Sequence, residues 1–93
     1  MKYIASYAFD SKNIYNLKFG KSVEKIGNYS FYECTNLKTI EFDLNSNLKS
    51  IGTSAFEKCT NLIYIHIPKT IESIGSNCLD ITQSVMYFLN LLI

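Results

Sequence analysis

The sequence repeats itself at intervals of 22 to 25 residues. The stretch Cys-Thr-Asn-Leu occurs at 34–37 and again at 59–62, and each copy lies inside a longer matching unit, at 26–37 and 51–62. A third unit opens at Ile74 and a partial one at Ile4, so units begin near residues 4, 26, 51 and 74, with spacings of 22, 25 and 23 residues. This period is typical of solenoids, whose coils bury their apolar faces by stacking on one another.

Each unit contains the apolar pattern of a strand. After each Cys-Thr-Asn-Leu, apolar side chains follow as Leu37, Ile40, Phe42 and as Leu62, Ile65, Ile67. The last two apolar residues of each run are two positions apart, so their side chains would face the core while the side chain between them faces solvent. This alternation predicts a strand in every coil. Two further strands are predicted at Ile14, Leu17, Phe19 and at Met86, Leu89, Leu91, and a shorter apolar element follows each of the first three, at Val23, Ile26, at Leu48, Ile51 and at Ile71, Ile74.

The start of each unit predicts a short helical turn. Within one unit Ala55, Phe56 and Cys59 fall on a single helical face, which we expect to point into the core. The turn would be capped at its start by a side chain that accepts hydrogen bonds, namely Ser6, Asn28, Thr53 and Ser76. It would be ended by an asparagine in left-handed conformation, at Asn13, Asn36 and Asn61.

The unit I-G-x-x-A-F-x-x-C-x-N-L-x-x-I-x-I-P-x-x-I-x-x-I-G, from Ile51 to Gly75, resembles the BspA-like class of leucine-rich repeat. The resemblance extends over almost the whole chain. It implies a right-handed α/β solenoid, with a parallel β-sheet on the concave side and short helical turns. We expect residues 1–93 to form a single leucine-rich repeat domain of about 3.5 uncapped repeats, a fragment of a longer array. The resemblance also implies a cell-surface or secreted protein of adhesion, and not an enzyme.

Composition narrows the function classes. The 47% apolar residues of this 93-residue chain suffice for one core. Nine Lys+Arg against eight Asp+Glu, without a basic cluster, disfavour nucleic acid as a partner. No apolar run approaches the roughly 18 to 20 residues that span a bilayer, so no transmembrane segment is predicted. The cellular compartment stays open.

The chemically reactive residues favour a structural role. Cys34 and Cys59 would lie on adjacent coils, about 5 Å apart, which leaves a disulfide geometrically open. Stacked thiols that point into an apolar core are more often small apolar fillers, and Cys78 occupies a small-residue column. His66 occupies an outward strand position, away from Cys59. We therefore predict neither an enzyme nor a metal or cofactor site.

The outward positions of the strands form the predicted binding surface. An apolar and aromatic patch on a rigid sheet is a typical hot spot for a protein partner. The alternative is that this patch faces a further structural element, and that the chain is a spacer or a degenerate fragment, with self-association end to end at its coil edges. The predicted partner-binding residues are Tyr15, Asn16, Lys18, Thr39, Glu41, Ile63, Tyr64, His66, Tyr87 and Phe88.

Overall fold

The computed structural model describes residues 2–79, which form a parallel β-solenoid of about 3 turns. Within residues 2–79, seven short strands build two parallel sheets. The strands are β1 (Tyr3–Ile4), β2 (Asn16–Phe19), β3 (Lys25–Ile26), β4 (Thr39–Phe42), β5 (Ser50–Ile51), β6 (Tyr64–Ile65) and β7 (Ser73–Ile74). One sheet has the order β1-β3-β5-β7 and the other has the order β2-β4-β6. The predicted fourth long strand, around Met86 to Leu91, lies outside the described residues.

The register of both sheets follows the repeat. Ile4, Ile26, Ile51 and Ile74, the first residues of the four units, lie opposite one another in neighbouring strands. In the other sheet, Leu17 pairs with Ile40, and Ile40 pairs with Ile65. Equivalent residues of successive units are therefore stacked, as the sequence spacing predicts.

The core is a set of apolar columns that run through the stack. The buried apolar residues in β4, β6 and the segments beside them are Leu37, Ile40, Leu62, Ile65 and Ile67. Val23, Ile26, Leu48 and Ile51, in and beside the shorter strands, are buried as well. Phe9, Phe31 and Phe56 form a column of stacked rings with centroids 5.2 Å apart at each step. This step is close to the spacing of about 4.8 Å between neighbouring strands, so each ring packs directly on the ring of the next coil.

The third side of the solenoid, the turn side, consists of residues 5–12, 27–34, 52–59 and 75–79. The prediction of short helical turns here is not confirmed, since residues 2–79 contain no helix. In the second coil Ser30 N donates to Gly27 O, and Cys34 N donates to Phe31 O, both at 3.3 Å. The third residues of these two turns, Tyr29 and Glu33, have φ of 57° and 56°. Positive φ at the third residue alone is typical of type II turns.

Hydrogen bonds between coils explain why turns replace the helix. Tyr29 N donates to Thr53 O at 3.0 Å, and Phe31 N donates to Ala55 O at 2.9 Å. The first coil donates to the second in the same way, for instance from Phe9 N to Ser30 O at 2.7 Å. In an α-helix these amides would bond within their own coil, and the stack would lose this third ladder.

The predicted caps and terminators act between coils as well. The side-chain oxygen of Asn28 accepts from the backbone N–H of Thr53 in the next coil at 2.8 Å, instead of capping its own segment. The left-handed residues at the end of each turn segment are Ser11, Glu33 and Lys58, not the predicted asparagines. The Asn36 side-chain amide instead donates to the side-chain oxygen of Asn13, which lies one coil earlier.

A glycine column brings the coils into close contact where the turn side begins. A Cβ atom on Gly27 would lie 2.6 Å from the carbonyl oxygen of Ile4, and one on Gly52 would lie 2.6 Å from the backbone nitrogen of Asn28. A Cβ atom on Gly75 would likewise lie too close to the backbone of Thr53. None of these glycines has positive φ, so the column is required by lack of space and not by backbone conformation.

Candidate functional site

The predicted binding residues of the first three coils lie in rows on the β2-β4-β6 sheet. In the first row Asn16 pairs with Thr39, and Thr39 pairs with Tyr64; in the second row Lys18 pairs with Glu41. The Thr39 hydroxyl donates to the Asn16 side-chain oxygen at 2.7 Å. We call this outward surface, with Tyr15, Ile63 and His66, the strand face. The predicted residues Tyr87 and Phe88 lie outside the described residues.

The exposed apolar side chains of the strand face are not contiguous. Tyr15 and Ile63 are each about half exposed, but Lys38 lies between them, because its N–H donates to Tyr15 O and its C=O accepts from Ile63 N. Tyr64 is partly buried, and His66 is exposed. Within the described residues the predicted aromatic patch is therefore reduced to Ile63 and Tyr64, with a cation separating them from Tyr15.

A cavity of about 540 Å³ opens at the end of the strand face. It unites four predicted residues with four that the sequence interpretation did not select. The predicted ones are Lys18, Glu41, Tyr64 and His66, and the additional ones are Phe42, Asp43, Leu44 and Asn45. Polar side chains of both charges thus surround a partly apolar concavity, an arrangement typical of the polar rim and apolar centre of protein interfaces.

Of the additional residues, Asp43, Leu44 and Asn45 belong to the insertion loop, residues 43–47, which follows β4, whereas Phe42 is the last residue of β4. Leu44 at its tip is fully exposed. Its conformation is set by hydrogen bonds, since the Asp43 carboxylate accepts from Asn45 N at 2.8 Å and Asp43 O accepts from Ser46 N at 3.0 Å. The Asn47 side chain anchors the loop to the first coil by donating to Lys21 O at 3.0 Å. An apolar side chain is thus held in water by an ordered turn.

A second cavity, of about 260 Å³, borders the same loop. Leu44 and His66 line both cavities, together with Phe42 and Asp43. The second cavity is completed by Ser46, Pro68, Lys69 and Thr70. The signal in the sequence was available: this loop is two residues longer than its counterparts in the neighbouring units, and it has a leucine among polar residues.

The cysteines belong to the core, as predicted. Cys34, Cys59 and Cys78 are all buried, and the Cys34 thiol donates to Phe9 O while the Cys59 thiol donates to Phe31 O, both at 3.2 Å. Burial raises the pKa of Cys34, and it raises the pKa of Cys78 to about 11. Since the thiolate is the nucleophilic form, these two thiols are poorly reactive at neutral pH.

Neither a metal-binding group nor a membrane-spanning helix is found in the part of the chain that the structure describes. Residues 2–79 hold no group of three or more His, Cys, Asp or Glu side chains that could bind a metal ion. They also contain no helix with the length and apolar character needed to cross a membrane. The strand face and the insertion loop together form the candidate functional surface of the described residues.

Comparison with known proteins adds one finding. A family model described as a BspA type leucine rich repeat region matches residues 2–90, in 6 copies. The match covers nearly the entire chain, including the coils that form the strand face. No curated protein and no solved structure matched the chain.

Proposed function

Because the chain belongs to the BspA-type leucine-rich repeat family, we propose that it is a protein-binding repeat module whose partner docks on the strand face and the insertion loop. The observation that carries this proposal is Leu44, fully exposed on an ordered loop between two cavities. We also propose that residues 1–93 act as one domain and that the chain is not an enzyme. The contrast in burial supports the latter, since Cys34, Cys59 and Cys78 are buried whereas His66 is exposed.

Leu44 has the properties of an interface anchor. Burying a leucine side chain contributes about 1.5 to 3 kcal/mol, and this gain is unused while the side chain lies in water. The hydrogen bonds of Asp43 and Asn47 order the loop before binding, which lowers the entropic cost of complex formation. The two cavities beside Leu44 give a partner room to surround it.

The polar residues around Leu44 would determine specificity. Lys18, Glu41, Asp43 and His66 lie close together and carry both signs of charge. Such a mixed rim suits a protein surface with complementary charges and not a uniformly charged polymer. The proposed partner-binding residues are Leu44 with Tyr15, Asn16, Lys18, Thr39, Glu41, Ile63, Tyr64, His66, Tyr87 and Phe88. A surface or secreted protein with a role in adhesion agrees with the family resemblance.

The test is a binding screen followed by mutation. The purified chain is screened against an array of extracellular proteins, and the dissociation constant of each hit is measured by biolayer interferometry. Leu44→Asp is expected to weaken the affinity for a true partner by about 10- to 100-fold, because the free energy gained by burying one leucine corresponds to a factor of that size. Tyr64→Ala should also weaken it.

The matched control is Tyr3→Ala, since Tyr3 is exposed on the other sheet, at β1. It should leave the affinity unchanged, and circular dichroism should show every variant folded. A partner that is sensitive to Tyr3→Ala and insensitive to Leu44→Asp and Tyr64→Ala would overturn the assignment of the strand face.

A second candidate function is end-to-end self-association, favoured by an alternating charge column on the β1-β3-β5-β7 side. Lys2, Glu24, Lys49 and Glu72 follow one another from coil to coil, and Lys2 Nζ lies 3.6 Å from Glu24 Oε2. A second copy stacked on β7 would place its Lys2 opposite Glu72 and continue the alternation. Sedimentation velocity should show concentration-dependent assembly that Glu72→Lys removes and Lys2→Glu with Glu72→Lys restores.

A further inference from the structure

The turn side carries a tyrosine cluster that the strand face does not include. Tyr7 and Tyr29 stack with ring centroids 5.0 Å apart and planes inclined by 1°. Tyr32 meets the edge of Tyr29 at 5.4 Å, so Tyr7, Tyr29 and Tyr32 form one aromatic surface across two coils. Tyr7 is 59% exposed, and its ring is accessible to a partner.

Two of these tyrosines have an unfavourable backbone conformation. Tyr7 and Tyr29 have φ of 60° and 57°, in the left-handed region. The same column continues in the next coils with Ser54 and Asn77, at φ of 56° and 55°. A left-handed residue with a side chain costs about 1 to 2 kcal/mol, and asparagine tolerates it best. The backbone of this column would favour small polar residues, whereas the first two coils hold aromatic rings there.

The turn side is also the more acidic side of the described chain. Its segments 5–12, 27–34 and 52–59 contain Asp10, Glu33 and Glu57 against the two lysines Lys12 and Lys58. The remainder of residues 2–79 contains seven lysines against four carboxylates. A cationic partner would therefore be attracted to the turn side in preference to the other two.

Lys58 shows how a cation sits on this surface. Its ammonium nitrogen lies 5.6 Å from the centroid of the Tyr32 ring, within the range of a cation–π contact. Its interaction with Tyr32 and the neighbouring carboxylates of Glu33 and Glu57 raise the pKa of Lys58. The chain itself thus supplies an example of a ring and carboxylates around one ammonium group. Within the described residues, no lysine lies over the ring of Tyr7.

We propose that the tyrosine cluster, together with Asp10, Glu33 and Glu57, binds an arginine-rich segment of a protein partner. A guanidinium group stacks on aromatic rings and pairs with carboxylates through its planar set of donors. The stacked rings of Tyr7 and Tyr29 offer the aromatic surface, and the three carboxylates balance the charge. This surface is separate from the strand face and does not depend on Leu44.

The experiment measures binding of a fluorescent arginine octapeptide to the full chain by anisotropy at physiological salt, with a glutamate octapeptide as the negative control. Wild type should bind the arginine peptide alone. Tyr7→Asn should weaken binding by about 2- to 5-fold, the size of one exposed cation–π contact. Asparagine is chosen because Asn77 occupies this column, so the variant keeps a residue suited to the backbone.

Further variants separate the proposal from general electrostatic attraction. Lys58→Ala should strengthen binding, because it opens the Tyr32 ring and removes a positive charge. Tyr15→Asn and Leu44→Asn, on the other surface and without a change of charge, should have no effect, which keeps this result distinct from that for the strand face. Unchanged affinity in Tyr7→Asn with Tyr29→Asn, combined with loss of binding in Glu33→Gln, would mean attraction by charge alone and would overturn the proposal.

Discussion

Successive coils stack with different backbone conformations on two sides of the solenoid, namely the sheet side formed by β2, β4 and β6 and the turn side. Both join each coil to the next by hydrogen bonds in a constant register. The strands do so in extended conformation, whereas the turn side does so with residues at positive φ, two in each of the coils that contain Tyr7, Tyr29 and Ser54. Ladders between coils can therefore be built without extended strands, provided that some residues accept a left-handed backbone.

The comparison also shows why the two sides differ in predictability. Alternating apolar residues predict a strand, and β2 and β4 confirm it. On the turn side, the spacing of Ala55, Phe56 and Cys59 fits one helical face, but it fits two successive turns equally well. Side-chain spacing does not reveal whether an amide bonds within its coil or to the next one.

The largest expected loss of stability follows from removing one ring of the aromatic column that supports the turn side. Phe31→Ala should lower the free energy of unfolding by about 3 to 5 kcal/mol, because it leaves a cavity between Phe9 and Phe56. Phe42→Ala, at a partly buried phenylalanine of the sheet side, should cost about half as much. Urea denaturation measures both, and equal losses would show that the two sides contribute equally.

The next effect concerns the close contact of coils at the glycine column. Gly52→Ala should destabilise the protein by about 3 kcal/mol, since the added methyl meets the backbone of Asn28. Gly20→Ala is the matched control, because nothing lies within 4 Å of a Cβ at Gly20. It should be neutral or stabilise the protein by about 0.5 kcal/mol. A mild effect of Gly52→Ala would mean that the coils separate easily.

The stability of the folded protein should fall at high pH because of a buried thiol on the turn side. Cys78 has a pKa of about 11 in the folded protein against an ordinary value of 9.0, because burial disfavours the thiolate. Its contribution to stability is complete below pH 9.0 and is lost as the pH rises towards 11. Urea midpoints at about pH 8 and about pH 10.5 should therefore differ.

The control for this pH effect is Cys78→Ala, since Ala8 and Ala55 occupy the same column. This variant should lose less stability between the two pH values than wild type. A loss equal to that of wild type would show that ionisation of other groups is responsible.

The smallest effect tests the left-handed backbone directly. Glu33 is exposed with φ of 56°, so Glu33→Gly should stabilise the protein by about 0.5 kcal/mol. Thr35→Gly, at a neighbouring exposed residue without positive φ, should destabilise it by a similar amount. Thermal melts measure both changes. Destabilisation by Glu33→Gly would indicate that the left-handed residues carry no appreciable strain.

Much of the proposed binding surface could be predicted from the sequence. The rows that contain Asn16, Thr39 and Tyr64 follow from the repeat spacing and from the alternation of side chains along a strand. The exposure of Leu44 could not be predicted, because loop length alone does not tell where the tip of a loop points. Its position depends on the hydrogen bonds of Asp43 and Asn47, the second of which reaches the first coil.

By itself, the sequence determined the repeat, the stacking register and the buried columns, because apolar residues recur at a constant spacing and have to be removed from water together. Only the tertiary structure decided the backbone of the turn side, the exposure of Leu44 and the assembly of the tyrosine cluster. These features rest on hydrogen bonds and ring contacts between coils, as between Tyr7 and Tyr29. Backbone amides and carbonyls are identical in nearly every residue, so their choice of partner leaves no trace in the order of side chains.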